Sequence, residues 1–127
     1  GRIVDGHGDL KPEHVYLRPK VLLIDRLEFD ERLRWCDPFD EICFLGIECS
    51  RLGAPEFLPY LVDQLADRLD DRPPETLLRF YSCYRACLRA RLSIEHLRDE
   101  APQTPEKWPR QTRAYLRLAA EALPLTD

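Results

Sequence analysis

The stretch of sequence that decides the fold is His7-Gly8-Asp9-Leu10-Lys11-Pro12-Glu13-His14, which runs directly into residues 15–25. In the second part, two β-rich segments at 15–17 and 21–24 flank Arg18-Pro19-Lys20, and this pattern predicts a β-hairpin with a short proline-containing turn. The first part is polar and rich in groups that take part in catalysis. We therefore expect a polar loop that enters a hairpin, and a strand that delivers Asp25 at its end.

From Asp37 onward, the apolar residues recur every three or four positions, which is typical of helices. Pro55 and Pro59 are expected to precede the second helix, and Gly53 to end the first. The pattern predicts four helices, near residues 38–52, 58–69, 75–97 and 110–123. The stripes predicted to be core are Ile42, Leu45, Cys49 and Leu52; Leu58, Leu61, Val62, Leu65 and Leu69; Leu77, Tyr81, Tyr84, Leu88 and Leu92; and Tyr115, Leu116, Ala119 and Leu123. The predicted fold class is mainly α with a small β-hairpin.

Length and composition limit the class of protein. The chain has 127 residues, 44% of them apolar and 33% charged, which predicts a single globular domain, residues 1–127. A net charge of −4 disfavours nucleic acid and anionic membranes as partners, and no apolar run approaches the length of a membrane span. Most arginines are expected on exposed helix faces among carboxylates.

The cysteine content bears on the cellular compartment in which the protein is expected. Five cysteines form an odd set with no secretory signal before them, so we expect a reducing, cytoplasmic environment rather than a disulfide framework. Cys83 and Cys87 would share a helix face, but no second ligand pair with zinc spacing accompanies them, and core packing is the simpler interpretation.

The segment at 7–14 has the spacing of a known catalytic loop. His7, one further residue and Asp9 are followed, five residues after Asp9, by His14. This order resembles the catalytic loop of the kinase fold, in which the aspartate accepts the proton of the attacking hydroxyl and an amide five residues later holds a magnesium ion. A second metal-binding carboxylate is expected just past the hairpin, where this sequence has Asp25.

Two departures from regulated protein kinases indicate a subfamily. Gly8 replaces the arginine before the aspartate, and Asp25 is followed by Arg26-Leu27-Glu28 instead of Phe-Gly. Both features resemble the aminoglycoside phosphotransferase and choline kinase superfamily, and residues 37–42 are similar to the segment that opens the next helix there. The run 7–53 looks like the bacterial aminoglycoside phosphotransferase family. The resemblance implies the C-terminal, mostly helical catalytic lobe of a kinase-like fold.

The resemblance also implies the chemistry. Asp9 would be the catalytic base and Asp25 the principal magnesium ligand, with His14 in the place of the second metal ligand. Lys11 matches the lysine that neutralises the γ-phosphate of ATP in serine/threonine kinases.

Four further residues have supporting roles by the same resemblance. His7 would tie the loop to the backbone near Asp25 through its ring, and Asp37 and Glu41 would brace the catalytic loop. Glu28 would touch the waters of the metal or the substrate.

Alternatives remain open for several of these residues. His14 is either a metal ligand or an exposed polar residue at a strand start, and Lys11 is either a phosphate ligand or a solvated charge. Because magnesium prefers oxygen ligands, an imidazole at position 14 predicts weak binding, manganese in place of magnesium, or loss of the second metal. Asp30, Glu31, Asp37 and Asp40 are interpreted as capping or loop charges.

The predicted function is therefore that of an ATP- and magnesium-dependent phosphotransferase acting on a hydroxyl of a small metabolite, cationic ones included. Only six residues precede His7, so the N-terminal nucleotide-binding lobe is expected to be absent, and the chain alone to be inactive or nearly so. The rival hypothesis is a degenerate kinase-fold module for binding or scaffolding. A protein kinase is disfavoured by Gly8 and by the missing Phe-Gly after Asp25.

Overall fold

A computed structural model describes residues 1–99 and 101–123. It is mainly helical with two small antiparallel sheets, which confirms the predicted fold class at that level. The strands are β1 (Val4–Asp5), β2 (Val15–Tyr16), β3 (Leu22–Leu23) and β4 (Trp35–Cys36); the α-helices are α1 (Pro38–Arg51), α2 (Phe57–Leu69), α3 (Glu75–Glu95) and α4 (Lys107–Ala122); and 3-10 turns cover Pro12–His14, Glu31–Leu33 and His96–Arg98.

The predicted hairpin is present, but it is shorter than the sequence pattern indicates. Strand β2 pairs with β3 in antiparallel register, with Val15 opposite Leu23 and Tyr16 opposite Leu22. A second ladder, in which Val4 of β1 lies opposite Cys36 of β4, was not predicted. Its two strands are far apart in the chain and only two residues long, so they carry no local periodicity.

The helix boundaries follow the local chemistry. Asp37 caps α1 by accepting a hydrogen bond from the backbone N–H of Phe39 at 2.9 Å, with proline at the first helical position. The expectation that Pro59 precedes α2 was wrong, since it lies inside the first turn. Pro109 lies in the first turn of α4, which begins earlier than predicted. Proline is tolerated there because the first-turn N–H groups have no partner within the helix.

The core has two parts that meet along α1. Phe44 and Ile47 pack with Ala86 of α3 and Ala119 of α4, whereas Phe39 packs with Val62 and Ala66 of α2. Helix α1 contributes to both clusters, and Leu78 and Tyr81 of α3 also pack against the cluster that contains α2. Phe39, in the first turn of α1, anchors the start of this helix in the core.

The core stripe predicted for α1 was displaced around the helix. Ile42, Leu45 and Cys49 are only half-buried and Leu52 is 62% exposed. The fully buried apolar positions of α1 are Phe39, Cys43, Phe44 and Ile47. The apolar residues of α1 cover more than one face, so its sequence alone did not show which face meets the other helices.

The stripe predicted for α3 was wrong for a different reason. Tyr84 and Leu92 are exposed, while the buried positions are Ser82, Arg85, Ala86, Ala90 and Ser93. Small side chains on this face allow α3 to pack closely against its neighbours, and the one long buried side chain is neutralised by an ion pair. A hydrophobicity pattern does not identify such a face.

Two charged side chains, those of Arg85 and Glu48, are buried between the helices. Arg85 donates two hydrogen bonds to Asp40 of α1, at 2.7 and 2.6 Å, so Arg85 is not a surface arginine and Asp40 is not a loop charge. Glu48 is 1% exposed and accepts a hydrogen bond from the hydroxyl of Tyr115 at 2.6 Å, with Arg51 and Arg89 beside it. Buried charges are stable only when paired in this way.

Cysteine burial follows the predicted core packing only in part. Cys36 and Cys43 are buried, and burial raises the pKa of the Cys43 thiol to about 11. Cys87, in contrast, is exposed, which corrects its assignment to the core. Within residues 1–99 and 101–123, none of the helices is long and apolar enough to cross a bilayer.

Candidate active site

The candidate site is the loop at 6–14 between β1 and β2, and it is attached to the first turn of α1. Glu41 accepts hydrogen bonds from two consecutive backbone N–H groups of the loop, that of His7 at 2.9 Å and that of Gly8. Gly8 has a φ of +85°, and a Cβ there would lie 2.9 Å from the side chain of Leu27, so glycine is required. A carboxylate on the core helix thus fixes the loop backbone.

His7 is buried, and both of its ring nitrogens are engaged. Nδ1 accepts a hydrogen bond from the backbone N–H of Asp9 at 3.3 Å, and Nε2 lies 2.5 Å from the carbonyl oxygen of Ile24. Since Nδ1 accepts, the ring proton is assigned to Nε2, which donates to Ile24. The ring links the loop to the residue before Asp25, which is the contact expected of His7.

His14 is the last residue of the 3-10 turn and is also buried, so the alternative of an exposed polar residue at a strand start was wrong. Its Nδ1 lies 2.8 Å from the carbonyl oxygen of Asp9. Its Nε2 lies 3.7 Å from Oδ2 of Asp25, and its ring stacks on that of His7 with the centroids 5.6 Å apart. Two residues from opposite ends of the hairpin are thereby brought together.

Asp9 and Lys11 form an ion pair at the edge of this group. Nζ of Lys11 lies 3.0 Å from Oδ2 of Asp9 and 3.8 Å from Oε1 of Glu13. The side chain of Lys11 is 17% exposed, so it is not the solvated lysine of the alternative interpretation. The Asp9 carboxylate keeps 27% of its surface accessible.

Asp25, unlike the two buried histidines, is exposed to solvent. Its side chain is 72% exposed, and its backbone has a φ of +56°, in the left-handed region that residues other than glycine adopt at an energetic cost. The chain turns at this residue directly after the hairpin. The two backbone hydrogen bonds around it, from Ile24 to His14 and from Leu27 to His7, hold that turn against the loop.

Asp37 and Glu28 do not join the group. Asp37 caps α1 and accepts a hydrogen bond from the hydroxyl of Tyr81 at 3.1 Å, so it supports the helix that carries Glu41 and does not touch the loop itself. Burial first, and then this hydrogen bond, raise the pKa of Tyr81 to about 12. Glu28 is exposed on the segment after Asp25, where its charge acts on Arg26.

Beside the site lies an ionic cluster that the sequence analysis missed. Asp5 of β1 pairs with Arg26 and with Arg34, whose Nε lies 2.8 Å from Oδ1 of Asp5. Arg34 also donates to the carbonyl oxygen of Leu27 at 2.8 Å. The hydrogen bonds from Arg26 and then Arg34 lower the pKa of Asp5 to about 2. The unpredicted ladder between β1 and β4 brings Asp5 next to Arg34.

The donor atoms suit a metal ion that is shared with another ligand. The exposed carboxylate of Asp25 and Nε2 of His14 face each other, whereas, across the described part of the chain, no three histidine, cysteine or acidic side chains are gathered as a metal site. Divalent ions in phosphate-handling sites commonly take one or two protein ligands and complete their coordination with phosphate oxygens and water. The pair fits that type of site and does not form an all-protein cage.

Comparison with known proteins finds relatives in mycobacteria. Three proteins, one from Mycobacterium bovis and two from strains of Mycobacterium tuberculosis, each described as an uncharacterized protein, are 35% identical to this chain over 104 residues. The match covers 81% of this chain but 21% of each relative, so the chain spans about a fifth of the length of the curated relatives that it matches. No protein-family model and no solved structure matches the chain.

Proposed function

We propose that residues 1–127 are the catalytic lobe of a kinase-like phosphotransferase of the aminoglycoside phosphotransferase type, which transfers the γ-phosphoryl group of ATP to a hydroxyl of a small metabolite. The observation that supports this most is that His14 lies next to both aspartates, with Nδ1 4.0 Å from Oδ2 of Asp9 and Nε2 3.7 Å from Oδ2 of Asp25. Glu41 and His7 hold the loop that carries Asp9 and His14 by hydrogen bonds. Phosphoryl transfer depends mainly on positioning and charge stabilisation, and a fixed loop of this composition is suited to both.

Each residue in the proposal has a task that its chemistry allows. Asp9 accepts the proton of the attacking hydroxyl, and its accessible carboxylate is close enough to the surface for a substrate to reach. Lys11 leaves its ion pair with Asp9 to neutralise a phosphate. Asp25 and His14 hold a divalent ion that neutralises charge on the phosphate oxygens when it is bound.

The rest of the protein is part of this proposal. In this proposal, the glycine-rich loop and the strand lysine that bind the nucleotide lie outside these 127 residues. The chain spans about a fifth of the length of its relatives. We therefore expect the 127-residue chain to turn over ATP poorly or not at all by itself.

The test is transfer of labelled phosphate from ATP by the full-length protein to small hydroxylated acceptors, with aminosugars and choline-like alcohols in the panel. Asp9→Asn is expected to lower the rate by at least about a hundredfold, because it removes the general base. Asp63→Asn serves as the matched control, since Asp63 lies on α2 in an exposed pair with Arg72 and should leave the rate unchanged. Equal rates for both variants would contradict the assignment of Asp9.

A second candidate is a kinase-fold module that binds a ligand without catalysis. The ion pair between Lys11 and Asp9 favours it, because a base already neutralised at 3.0 Å is poorly placed to accept a proton. Under this hypothesis the full-length protein binds ATP, as followed by calorimetry, yet transfers no phosphate to any acceptor with either Mg²⁺ or Mn²⁺.

A further inference from the structure

The histidine at position 14 presents a nitrogen to the position where the proposed metal ion lies. Its Nδ1 lies 2.8 Å from the carbonyl oxygen of Asp9, which is an acceptor only, so Nδ1 carries the proton and donates. In the neutral ring the lone pair is then on Nε2. The hydrogen bond to the loop backbone therefore determines that Nε2 is the nitrogen available to a ligand.

The free nitrogen faces the Asp25 carboxylate across a gap. Nε2 and Oδ2 are 3.7 Å apart, which is longer than the roughly 2.7–3.2 Å of an N–H···O hydrogen bond. An ion bound at about 2.1 Å to each atom fits that gap, because two such bonds together exceed 3.7 Å. One ion can therefore reach both side chains.

The other histidines of the chain lack this property. Both ring nitrogens of His7 are used by the backbone, at Asp9 and Ile24. His96 stacks on Trp108 at the end of α3, with the ring centroids 3.8 Å apart. His14 is thus the histidine whose ring has a nitrogen directed at a carboxylate.

We propose that His14 binds the metal ion directly through Nε2, and that this nitrogen makes the site select first-row transition ions, of which Mn²⁺ is the weakest binding, over Mg²⁺. This inference rests on the proposed function for the location of the ion. Its reason is ligand chemistry: Mg²⁺ takes oxygen donors almost exclusively, whereas an imidazole nitrogen favours ions of the Mn²⁺ to Zn²⁺ series. The exposed Asp25 leaves the position open to an ion from solution.

The experiment uses Mn²⁺ alone with the 127-residue chain, because Mn²⁺ has little affinity for the five cysteines. Binding is followed by electron paramagnetic resonance, and pulsed measurements detect coupling to a directly bound imidazole nitrogen. We expect this coupling in the wild type, its loss in His14→Asn, and its persistence in the matched variant His96→Asn. Mg²⁺ in about tenfold excess should leave most Mn²⁺ bound to the wild type and displace it from His14→Asn.

Two results would overturn the inference. One is the absence of nitrogen coupling in the wild type, with or without bound Mn²⁺, and the other is displacement by Mg²⁺ that is equally easy in the wild type and in His14→Asn. If His14→Asn does not fold, as judged by circular dichroism, labelling the histidines of the wild type with ¹⁵N tests instead whether a histidine nitrogen binds Mn²⁺. The coupling must then change from the ¹⁴N to the ¹⁵N pattern, and an unchanged spectrum refutes a histidine ligand.

Failure of this inference and failure of the proposed function can be distinguished. Phosphate transfer by the full-length protein that is as fast with Mg²⁺ as with Mn²⁺, together with no nitrogen coupling, removes the inference and leaves the function in place. Nitrogen coupling without any phosphate transfer contradicts the proposed function and leaves the metal-binding role of His14 in place.

Discussion

At the scale of single residues, the candidate site is held by backbone hydrogen bonds to side chains. Glu41 binds two N–H groups of the loop, His7 binds the carbonyl oxygen of Ile24, and His14 binds that of Asp9. Each of these contacts leaves free the atoms that the proposal assigns to chemistry, since His14 uses Nδ1 here and keeps Nε2. The loop can therefore keep its shape while Asp9 and Asp25 stay accessible.

The contact between Glu41 and the loop can be tested by replacing one of its two hydrogen-bond-accepting oxygens with a donor. Glu41→Gln places an amide donor against one of the two loop N–H groups, so the free energy of unfolding should fall by about 1–3 kcal/mol. Urea unfolding measures it. Glu95→Gln is the control, because Glu95 pairs with an exposed arginine in the same helix and its loss should cost less than about 0.5 kcal/mol. Similar small losses in both variants would show that Glu41 does not hold the loop.

Asp5 gives a prediction about pH. Its carboxyl has a pKa of about 2 in the folded protein, below the usual 3.8, because Arg26 and then Arg34 favour the charged form. The ionised carboxylate therefore stabilises the fold above about pH 4, and this contribution is lost as the pH falls from about 4 to about 2. Nuclear magnetic resonance should show the Asp5 carboxyl titrating with a midpoint near 2 in the wild type and nearer 3.8 in Arg26→Gln. A wild-type midpoint near 3.8 would contradict the ionic cluster.

At the scale of elements, the close approach of α1 and α2 decides how the site is supported. Gly46 lies on the buried side of α1, where a Cβ would stand 2.7 Å from the Cβ of Leu58 on α2. Glycine weakens a helix, so its presence in the middle of α1 reflects packing. The site depends on this packing because α1 also carries Glu41.

Gly46→Ala should therefore destabilise the protein although alanine is the better helix former. Overpacking against Leu58 is expected to lower the free energy of unfolding by about 1–3 kcal/mol, as measured by thermal or urea unfolding. A double-mutant cycle with Leu58→Gly supplies the control. The double variant should lose less than the sum of the single variants, because removing the whole Leu58 side chain, its Cβ included, makes room for the new methyl group. Additive losses would place the clash elsewhere.

At the scale of the whole molecule, the burial of apolar side chains is unequal. The helices share the two core clusters around α1, whereas the segments around the hairpin leave large apolar side chains exposed. The exposed members before α1 include Ile3, Tyr16, Leu17, Val21, Phe29 and Trp35. The loop of the candidate site connects these two regions.

Hydrogen exchange should reveal this difference directly. We expect the amides of Phe44 and Ala86, in the cores of α1 and α3, to exchange at least about a hundredfold more slowly than those of Tyr16 and Leu22 in the hairpin. The reason is that the hairpin has two-residue strands with exposed side chains, while both helix positions are buried. Native-state exchange followed by nuclear magnetic resonance measures these rates, and equal protection would mean that the molecule opens as one unit.

The sequence by itself determined the local features of this protein: the hairpin, four helices near their observed bounds, and the spacing that separates Asp9, His14 and Asp25. These follow from turn residues, caps and periodicity, which act over a few positions. Only the tertiary structure decided which helix faces are buried, because Ser82 and the paired Arg85 are polar and the small Ala86 gives only a weak hydrophobic signal. It also brought Asp5 to Arg34 and His14 to Asp25, since contacts between distant segments depend on the packing of the whole chain.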